Sequence, residues 1–148
     1  MKGAAQVSDL ISEIISSALY DGDYGSSISR ELVLGGVEVF DRVNVPLDYL
    51  EFLEQFGFGE LDSALYIEAG PIKYSVVVGC EVDAYRDMYV FAGTGSGVFY
   101  AFDAANDWSI VEIDPELDGA EVLSEDFSSF IISRLKAVKG CVDWRVQQ

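Results

Sequence analysis

The chain has 148 residues, of which half are hydrophobic, nine are basic and 26 are acidic, so its formal net charge at pH 7 is −17. This apolar content is typical of a folded protein rather than a disordered acidic tail, and the length suits one domain. A surface this negative repels nucleic acid and anionic lipid, so we expect neither as a partner. The sequence contains no histidine, which excludes an ordinary zinc site and histidine-based acid–base or nucleophilic catalysis.

The apolar segments do not predict a secreted or membrane protein. After Lys2 the first apolar stretch is interrupted by Asp9 and Glu13, which a signal peptide would not tolerate. No run approaches the roughly 20 apolar residues of a membrane span. The two cysteines, Cys80 and Cys141, belong to no Cys-x-x-Cys motif. We therefore expect a cytoplasmic protein with reduced thiols and no cofactor.

The first predicted element is an amphipathic helix. Its apolar residues recur at intervals of three and four: Val7, Leu10, Ile11, Ile14, Ile15, Ala18 and Leu19. The turn-forming residues 21–27 end this helix. The following segment 36–43 is ambiguous between a short helix and a strand.

A second helix is predicted in the middle of the first half. Pro46 fits the first helical position, and Asp48 and Glu51 favour the positive end of the helix dipole. Gly57 stops the helix. The residues of its buried side are Leu50, Phe52, Leu53 and Phe56.

From Ala64 onward, short apolar runs separated by turn residues predict about five strands in series. These runs are Leu65–Ile67, Ile72–Cys80, Met88–Ala92, Val98–Phe102 and Trp108–Ile113. The short connections favour antiparallel neighbours, because a parallel crossover needs a dozen or more residues.

The glycine-rich stretch Gly93–Gly97 has two interpretations, a phosphate loop or a turn between strands. A phosphate loop is followed by a helix whose N-terminus faces the anion. Here the aromatic run Val98–Phe102 follows, and the stretch lacks the lysine of a phosphate loop. The sequence therefore predicts a β-hairpin, in which glycine supplies the positive φ angles of the turn.

A final helix is predicted with Ser124 as its N-cap, Glu125 and Asp126 in its first turn, and Gly140 at its end. Its apolar face contains Phe127, Phe130, Ile131, Leu135 and Val138, and its negative end carries Lys136 and Lys139. The chain is thus expected to form one α+β domain over residues 1–148. An antiparallel meander sheet of about five or six strands is flanked by N-terminal, central and C-terminal helices.

Three segments together resemble a known family. Residues 45–53, Val-Pro-Leu-Asp-Tyr-Leu-Glu-Phe-Leu, run into Phe-Gly-Phe-Gly at 56–59; residues 91–103 form the glycine-turn hairpin; residues 127–131 begin the last helix. In this order they are similar to the SUKH superfamily, also called SMI/KNR-like proteins, over roughly residues 30 to 138. The sequence departs from the family pattern at Val45, where leucine is usual, and at Phe58, which separates the two glycines.

The resemblance implies a function in protein binding. Most bacterial members are immunity proteins that bind and neutralise a cognate toxin domain, often a nuclease, of a polymorphic toxin or contact-dependent inhibition system. The charge favours the same interpretation, because nuclease toxins are generally basic. A non-catalytic regulatory or scaffold protein of the same fold is the alternative, as is a hydrolase that works with paired carboxylates.

Carboxylates in loops are the candidates for contact with a basic partner, because strands and helices use one face for the core. The first group surrounds an aromatic and an arginine: Glu81, Asp83, Tyr85, Arg86 and Asp87. The second group is Asp114, Glu116, Asp118 and Glu121, and the third is Glu60 and Asp62. Between Val43 and Ser133 the only basic residues are Lys73 and Arg86, against eighteen carboxylates. No catalytic or metal-binding residue is predicted.

Overall fold

The computed structural model describes residues 1–117, 119–124 and 126–148. Within these residues an open sheet has six antiparallel strands in sequence order: β1 (Gly59–Asp62), β2 (Leu65–Lys73), β3 (Met88–Gly93), β4 (Phe99–Asp103), β5 (Ser109–Ile113) and β6 (Ala120–Ser124). The described helices are α1 (Ala4–Ile15), α2 (Arg30–Gly35), α3 (Leu47–Gln55), α4 (Tyr74–Val78) and α5 (Phe127–Val146), with 3₁₀ helices at Val39–Asn44 and Asp83–Tyr85. The predicted α+β fold with a meander sheet flanked by helices is confirmed.

The main core lies between one face of the sheet, here called the inner face, and helices α1, α3 and α5. Its centre is an aromatic cluster formed by Tyr49, Phe91, Phe102 and Phe127. Phe91 on β3 stacks on Phe102 of β4 with ring centroids 4.3 Å apart. Tyr49 of α3 lies edge-on to Phe102 at 5.0 Å and to Phe127 of α5 at 5.2 Å. One cluster therefore joins two helices to the two central strands.

The opposite, outer face of the sheet carries a smaller core. Its buried members come from β3, β4, β5 and α4: Tyr74, Met88, Val90, Ala101, Val111 and Ile113. Helix α4 and the loop after it cover this face, and Tyr85 in that loop packs against it. Strand β3 is consequently buried along its whole length.

The prediction of a strand over Ile72–Cys80 was wrong. Strand β2 is one strand that ends at Lys73, with an irregular register between Ile67 and Ile72, and the valines 76–78 lie in helix α4. Tyr74 at the start of α4 is buried, and Gly79 ends the helix in the left-handed region at φ 79°. Burial of the tyrosine ring thus overrides the strand preference of the valines.

The predicted hairpin at the glycine-rich stretch is confirmed. Strands β3 and β4 pair antiparallel, and the Thr94 amide donates a hydrogen bond of 2.9 Å to the Val98 carbonyl across the turn. Gly97 has φ 92°, where glycine carries no steric penalty. The stretch is therefore a strand connection and does not lead into a helix.

Several helix ends differ from the prediction. Helix α1 ends at Ile15 rather than near Leu19, and the second part of the ambiguous segment 36–43 lies in the 3₁₀ helix Val39–Asn44. Pro46 is the N-cap of α3 rather than its first helical residue. After α3, Gly57 adopts φ 91° as the chain turns towards β1, and a Cβ there would lie 2.5 Å from the Ser26 carbonyl oxygen.

Helix α5 also begins and ends at other residues than predicted. Its N-cap is Asp126 rather than Ser124, and the Asp126 carboxylate accepts a 2.8 Å hydrogen bond from the Ser129 amide. Hydrogen bonds from the Ser129 side chain and from its amide lower the pKa of Asp126. Glu125, predicted for the first turn, lies outside the described residues. Gly140 does not end the helix, because the next turn buries Val142 in the main core. None of the described helices is long and apolar enough to cross a bilayer.

We expect Phe91→Ala to reduce the free energy of unfolding by about 3–5 kcal/mol, because it removes a fully buried ring from the aromatic cluster. Phe40→Ala is the matched control, since the Phe40 side chain is 74% exposed and its removal should change stability by less than about 0.5 kcal/mol. Urea denaturation of both variants measures the difference. Equal stabilities would contradict a central role for the aromatic cluster.

Candidate protein-binding surfaces

The first predicted group lies in the loop between α4 and β3. Glu81, Asp83 and Asp87 are exposed. Tyr85 is half-buried, with its ring edge-on to Tyr74 at a centroid distance of 4.9 Å. The tyrosine therefore fixes the loop to the outer face, while the three carboxylates remain in water.

The two basic residues of the acidic central stretch are neighbours in the structure. The Lys73 ammonium donates a 3.3 Å hydrogen bond to the Arg86 carbonyl and lies 4.7 Å from the centre of the Tyr89 ring. Sequence spacing gives no sign of this contact, because it forms only when β2 and β3 pair. The first group is thus an acidic loop that contains the exposed Arg86 and whose backbone is bonded by Lys73.

The second group lies at the turn between β5 and β6. The Asp114 carboxylate accepts a 3.0 Å hydrogen bond from the Glu116 amide and so shapes the turn. Glu121, predicted in a loop, lies instead in strand β6, directly opposite Glu112 of β5. Asp118 is outside the described residues.

The third group lies on the edge strand β1 rather than in a loop. Asp62 is ion-paired with Arg145 of α5, and its carboxylate also accepts a 2.9 Å hydrogen bond from the Ala64 amide. The Asp62 side chain is only 10% exposed. Glu60 is exposed, but its backbone is bonded to the segment before α2. Asp62 therefore stabilises the packing of α5 on β1 and offers little charge to a partner.

The first two groups lie at opposite ends of the sheet. Asp87 precedes Met88, which pairs with Asp103 at the end of β4. Asp114 follows Ile113, which pairs with Phe99 at the start of β4. The length of β4 separates the two ends by on the order of 15 Å. A partner that contacts both groups must therefore extend along the sheet.

An exposed apolar patch was not predicted from the sequence. Val39, Phe40 and Val43 of the first 3₁₀ helix are 74%, 74% and 86% exposed, and Leu47 at the start of α3 is 57% exposed. Asp41 anchors the helix by accepting a 2.7 Å hydrogen bond from the Tyr89 hydroxyl. Apolar residues held at a surface mark sites of protein contact. The only sequence signal was the ambiguous periodicity of segment 36–43.

Among the carboxylates outside the predicted groups, Asp103 is buried and Glu68 is half-buried. Asp103 is buried at the end of β4, where it accepts hydrogen bonds from the Ala105 amide at 3.1 Å and the Asn106 side chain at 2.7 Å. Glu68 is half-buried beside a hollow of about 230 Å³, and this burial raises its pKa. In the described part of the chain, no group of three or more acidic or cysteine side chains could hold a metal ion.

No known family model matches the chain, and no curated protein matches its sequence. The resemblance to the SUKH superfamily therefore rests on its motifs. Their residues have clear structural roles: Tyr49, Phe52 and Leu53 are buried in the main core, and Asp103 closes the turn after β4. Core packing accounts for the first three side chains and the turn after β4 for Asp103, whereas Leu47 of the same motif lies in the exposed apolar patch.

Glu68→Gln is expected to stabilise the protein near pH 7 and to have little effect near about pH 3.5. Because burial disfavours the charged carboxylate, the folded-state pKa of Glu68 lies above its unfolded value. As the pH rises from the unfolded-state pKa of Glu68 through its folded-state pKa, the free energy of unfolding of the wild-type protein falls. The variant has no carboxylate at this position and does not show this loss. Urea denaturation at both pH values measures the difference in free energy of unfolding between the variant and the wild type. Glu81→Gln, an exposed control, should show no comparable gain, and an equal gain would contradict the cost of burying Glu68.

Proposed function

We propose that this protein is an immunity protein that neutralises a basic toxin domain, of the nuclease type, by stoichiometric binding in the cytoplasm. One observation carries the proposal: the exposed carboxylates at two ends of the sheet have no ion-pair partner among the described residues. The ion pairs that the described residues form involve other carboxylates, namely Glu13, Glu51, Glu54, Asp62 and Asp143. The field of the described carboxylates of the first two groups therefore extends into the solvent.

A surface with an excess of exposed carboxylates attracts a basic protein before contact. Charge complementarity raises association rates well above those of neutral pairs, to as much as 10⁸–10⁹ M⁻¹s⁻¹ at low salt. A nuclease domain must attract phosphates, so its basic surface fits the same field. An inhibitor that binds there competes directly with nucleic acid.

The exposed apolar patch supplies a second element that a tight complex requires. Charged residues at the rim of an interface mainly affect association, whereas buried aromatic and aliphatic side chains supply most of the affinity. Phe40 is a large side chain held at the surface by the Asp41–Tyr89 hydrogen bond. The patch also carries Glu38 at its border, which suits the same basic partner.

Co-expression with the toxin domain encoded directly upstream of this gene is expected to protect cells from killing. Two triple variants locate the contact. Glu81, Asp83 and Asp87 are changed to lysine in one, and Asp114, Glu116 and Glu121 in the other, so both change the net charge equally. We expect one variant to lose protection and the other to keep most of it, because the two groups lie at opposite ends of the sheet. Unaltered killing with abundant folded wild-type protein would refute the proposal.

Binding to that toxin domain is also expected to weaken as salt is raised. The Debye length falls from about 10 Å at 0.1 M salt to about 3 Å at 1 M, which screens the exposed carboxylates. We expect the association rate to fall at least about tenfold over this range, with a smaller change in the dissociation rate. Surface plasmon resonance measures both rates. A flat association rate would mean that the acidic surface serves solubility only.

A further inference from the structure

The two edges of the sheet differ in whether another segment of the chain covers them. At β1, the segment before α2 covers the edge. Phe58 forms a bridge with Ser26, and the Asp23 carboxylate accepts a 2.8 Å hydrogen bond from the Glu60 amide. The Tyr20 hydroxyl donates to the Glu60 carbonyl at 3.4 Å. Backbone groups that would otherwise pair with another strand are therefore already bonded.

Strand β6 has no such cover among the described residues. It is last in the strand order, and its outer side pairs with no described strand. The side chains of Val122 and Leu123 are 65% and 40% exposed, and Leu117 in the preceding turn is 66% exposed. An unpaired edge with exposed apolar side chains is an arrangement that proteins usually avoid, because it can pair with another chain.

The two sides of β6 have different chemistry. Val122 lies opposite Val111, which belongs to the outer-face core, so the outer side of β6 is apolar. Glu121 lies opposite Glu112 on the inner side, beside a hollow of about 460 Å³ that Arg134 also lines. Arg134 donates a 3.1 Å hydrogen bond to the Tyr100 hydroxyl and forms no ion pair with a described residue. The inner side is therefore open, and its hollow is lined by two glutamates together with Arg134 and the apolar Leu123. The exposed Glu116 in the preceding turn adds to the excess of negative charge at this edge.

We propose that β6 is a docking strand, to which an extended basic segment of the partner protein adds as a further antiparallel or parallel strand. Neighbouring strands place side chains on shared faces. The incoming segment therefore carries lysine or arginine at positions beside Glu121 and apolar residues at the alternate positions beside Val122. Main-chain hydrogen bonds hold the segment, and the alternating side chains select it. This inference rests on the proposed function in one respect, namely that the partner is basic.

Charge argues against a second copy of this chain as the occupant. Pairing two β6 strands would bring the acidic inner sides of both copies together, with Glu112 and Glu121 of each and the nearby Asp114 and Glu116. Like charges on adjacent strands are destabilising. A basic segment gains attraction from the same groups.

The test uses the full chain and a short synthetic peptide of alternating lysine and valine. Hydrogen exchange of the Ala120–Ser124 amides reports strand addition, because pairing protects them, and an NMR titration gives the affinity. A peptide of alternating lysine and proline has the same charge but lacks half of the backbone N–H groups, and proline is excluded from the interior of a sheet. We expect it to bind at least about tenfold more weakly and to protect no β6 amide.

A matched pair of protein variants locates the contact. Val122→Lys places a lysine on the edge, which natural sheets use to prevent pairing. Val76→Lys makes the same change of net charge at an equally exposed valine on α4, where Val76 is 70% exposed. We expect Val122→Lys to weaken binding of the lysine–valine peptide by about tenfold, and Val76→Lys to leave it nearly unchanged.

The remaining outcomes would overturn the inference. Equal binding of the two peptides, or equal weakening by the two variants, would show that charge alone attracts the peptide and would leave the proposed function standing. If millimolar peptide gave the β6 amides no protection from hydrogen exchange, the docking-strand proposal would be wrong. A dimer in sedimentation experiments that Val122→Lys dissolves would assign the edge to a second copy. Strand addition together with failed toxin neutralisation would keep the docking strand and reject the immunity function.

Discussion

The aromatic cluster on the inner face is the interaction on which the rest of this structure depends. Tyr49, Phe91, Phe102 and Phe127 come from four elements spread over the sequence, and their rings meet within about 6 Å. This packing fixes α3 and α5 against the central strands. This packing also destabilises one polar group. The Tyr49 hydroxyl has no hydrogen-bond partner among the described residues, which costs about 1–3 kcal/mol, and its burial raises the pKa of Tyr49. The core tolerates this loss because the surrounding rings bury so much apolar area.

Because this core stabilises the fold, the surface can carry many charged residues. Four of the nine basic residues lie on α5, and two of these four form ion pairs with described residues. Lys139 pairs with Glu13 of α1 and Asp143, and Arg145 pairs with Asp62 of β1. The cations therefore neutralise one side of the molecule, around α1, α5 and β1. The carboxylates of the outer loop and of β5–β6 form no ion pair among the described residues. The excess of negative charge therefore lies on that side of the molecule.

The same asymmetry appears in the sheet. Strand β1 lies on the neutralised side, and its edge is covered by the chain. Strand β6 lies on the acidic side, and among the described residues its edge is open. Acidic side chains at an open edge discourage pairing between identical copies, and they favour a partner of opposite charge. We propose that a surface of this kind disfavours self-association and leaves the edge available to a basic partner.

The sequence by itself determined the elements whose signals are local. The three- and four-residue periodicity gave α1, α3 and α5, and the aromatic runs on either side of the glycines gave the β3–β4 hairpin. Short connections gave the antiparallel meander, because they cannot support parallel crossovers. Composition gave the acidic surface and excluded histidine chemistry.

Only the tertiary structure decided what depends on contacts distant in sequence. The valines 76–78 became helical because Tyr74 is buried on the outer face, and β1 and β6 became strands by pairing, without an alternating pattern of their own. The candidate carboxylates were visible in the sequence, but their roles were not. Asp62 is used in an ion pair, Glu121 faces Glu112 across two strands, and the first two groups lie at opposite ends of the sheet. Strand register and burial decide whether a charge stabilises the fold or faces the solvent. Both depend on contacts between residues distant in sequence, so the local sequence does not predict them.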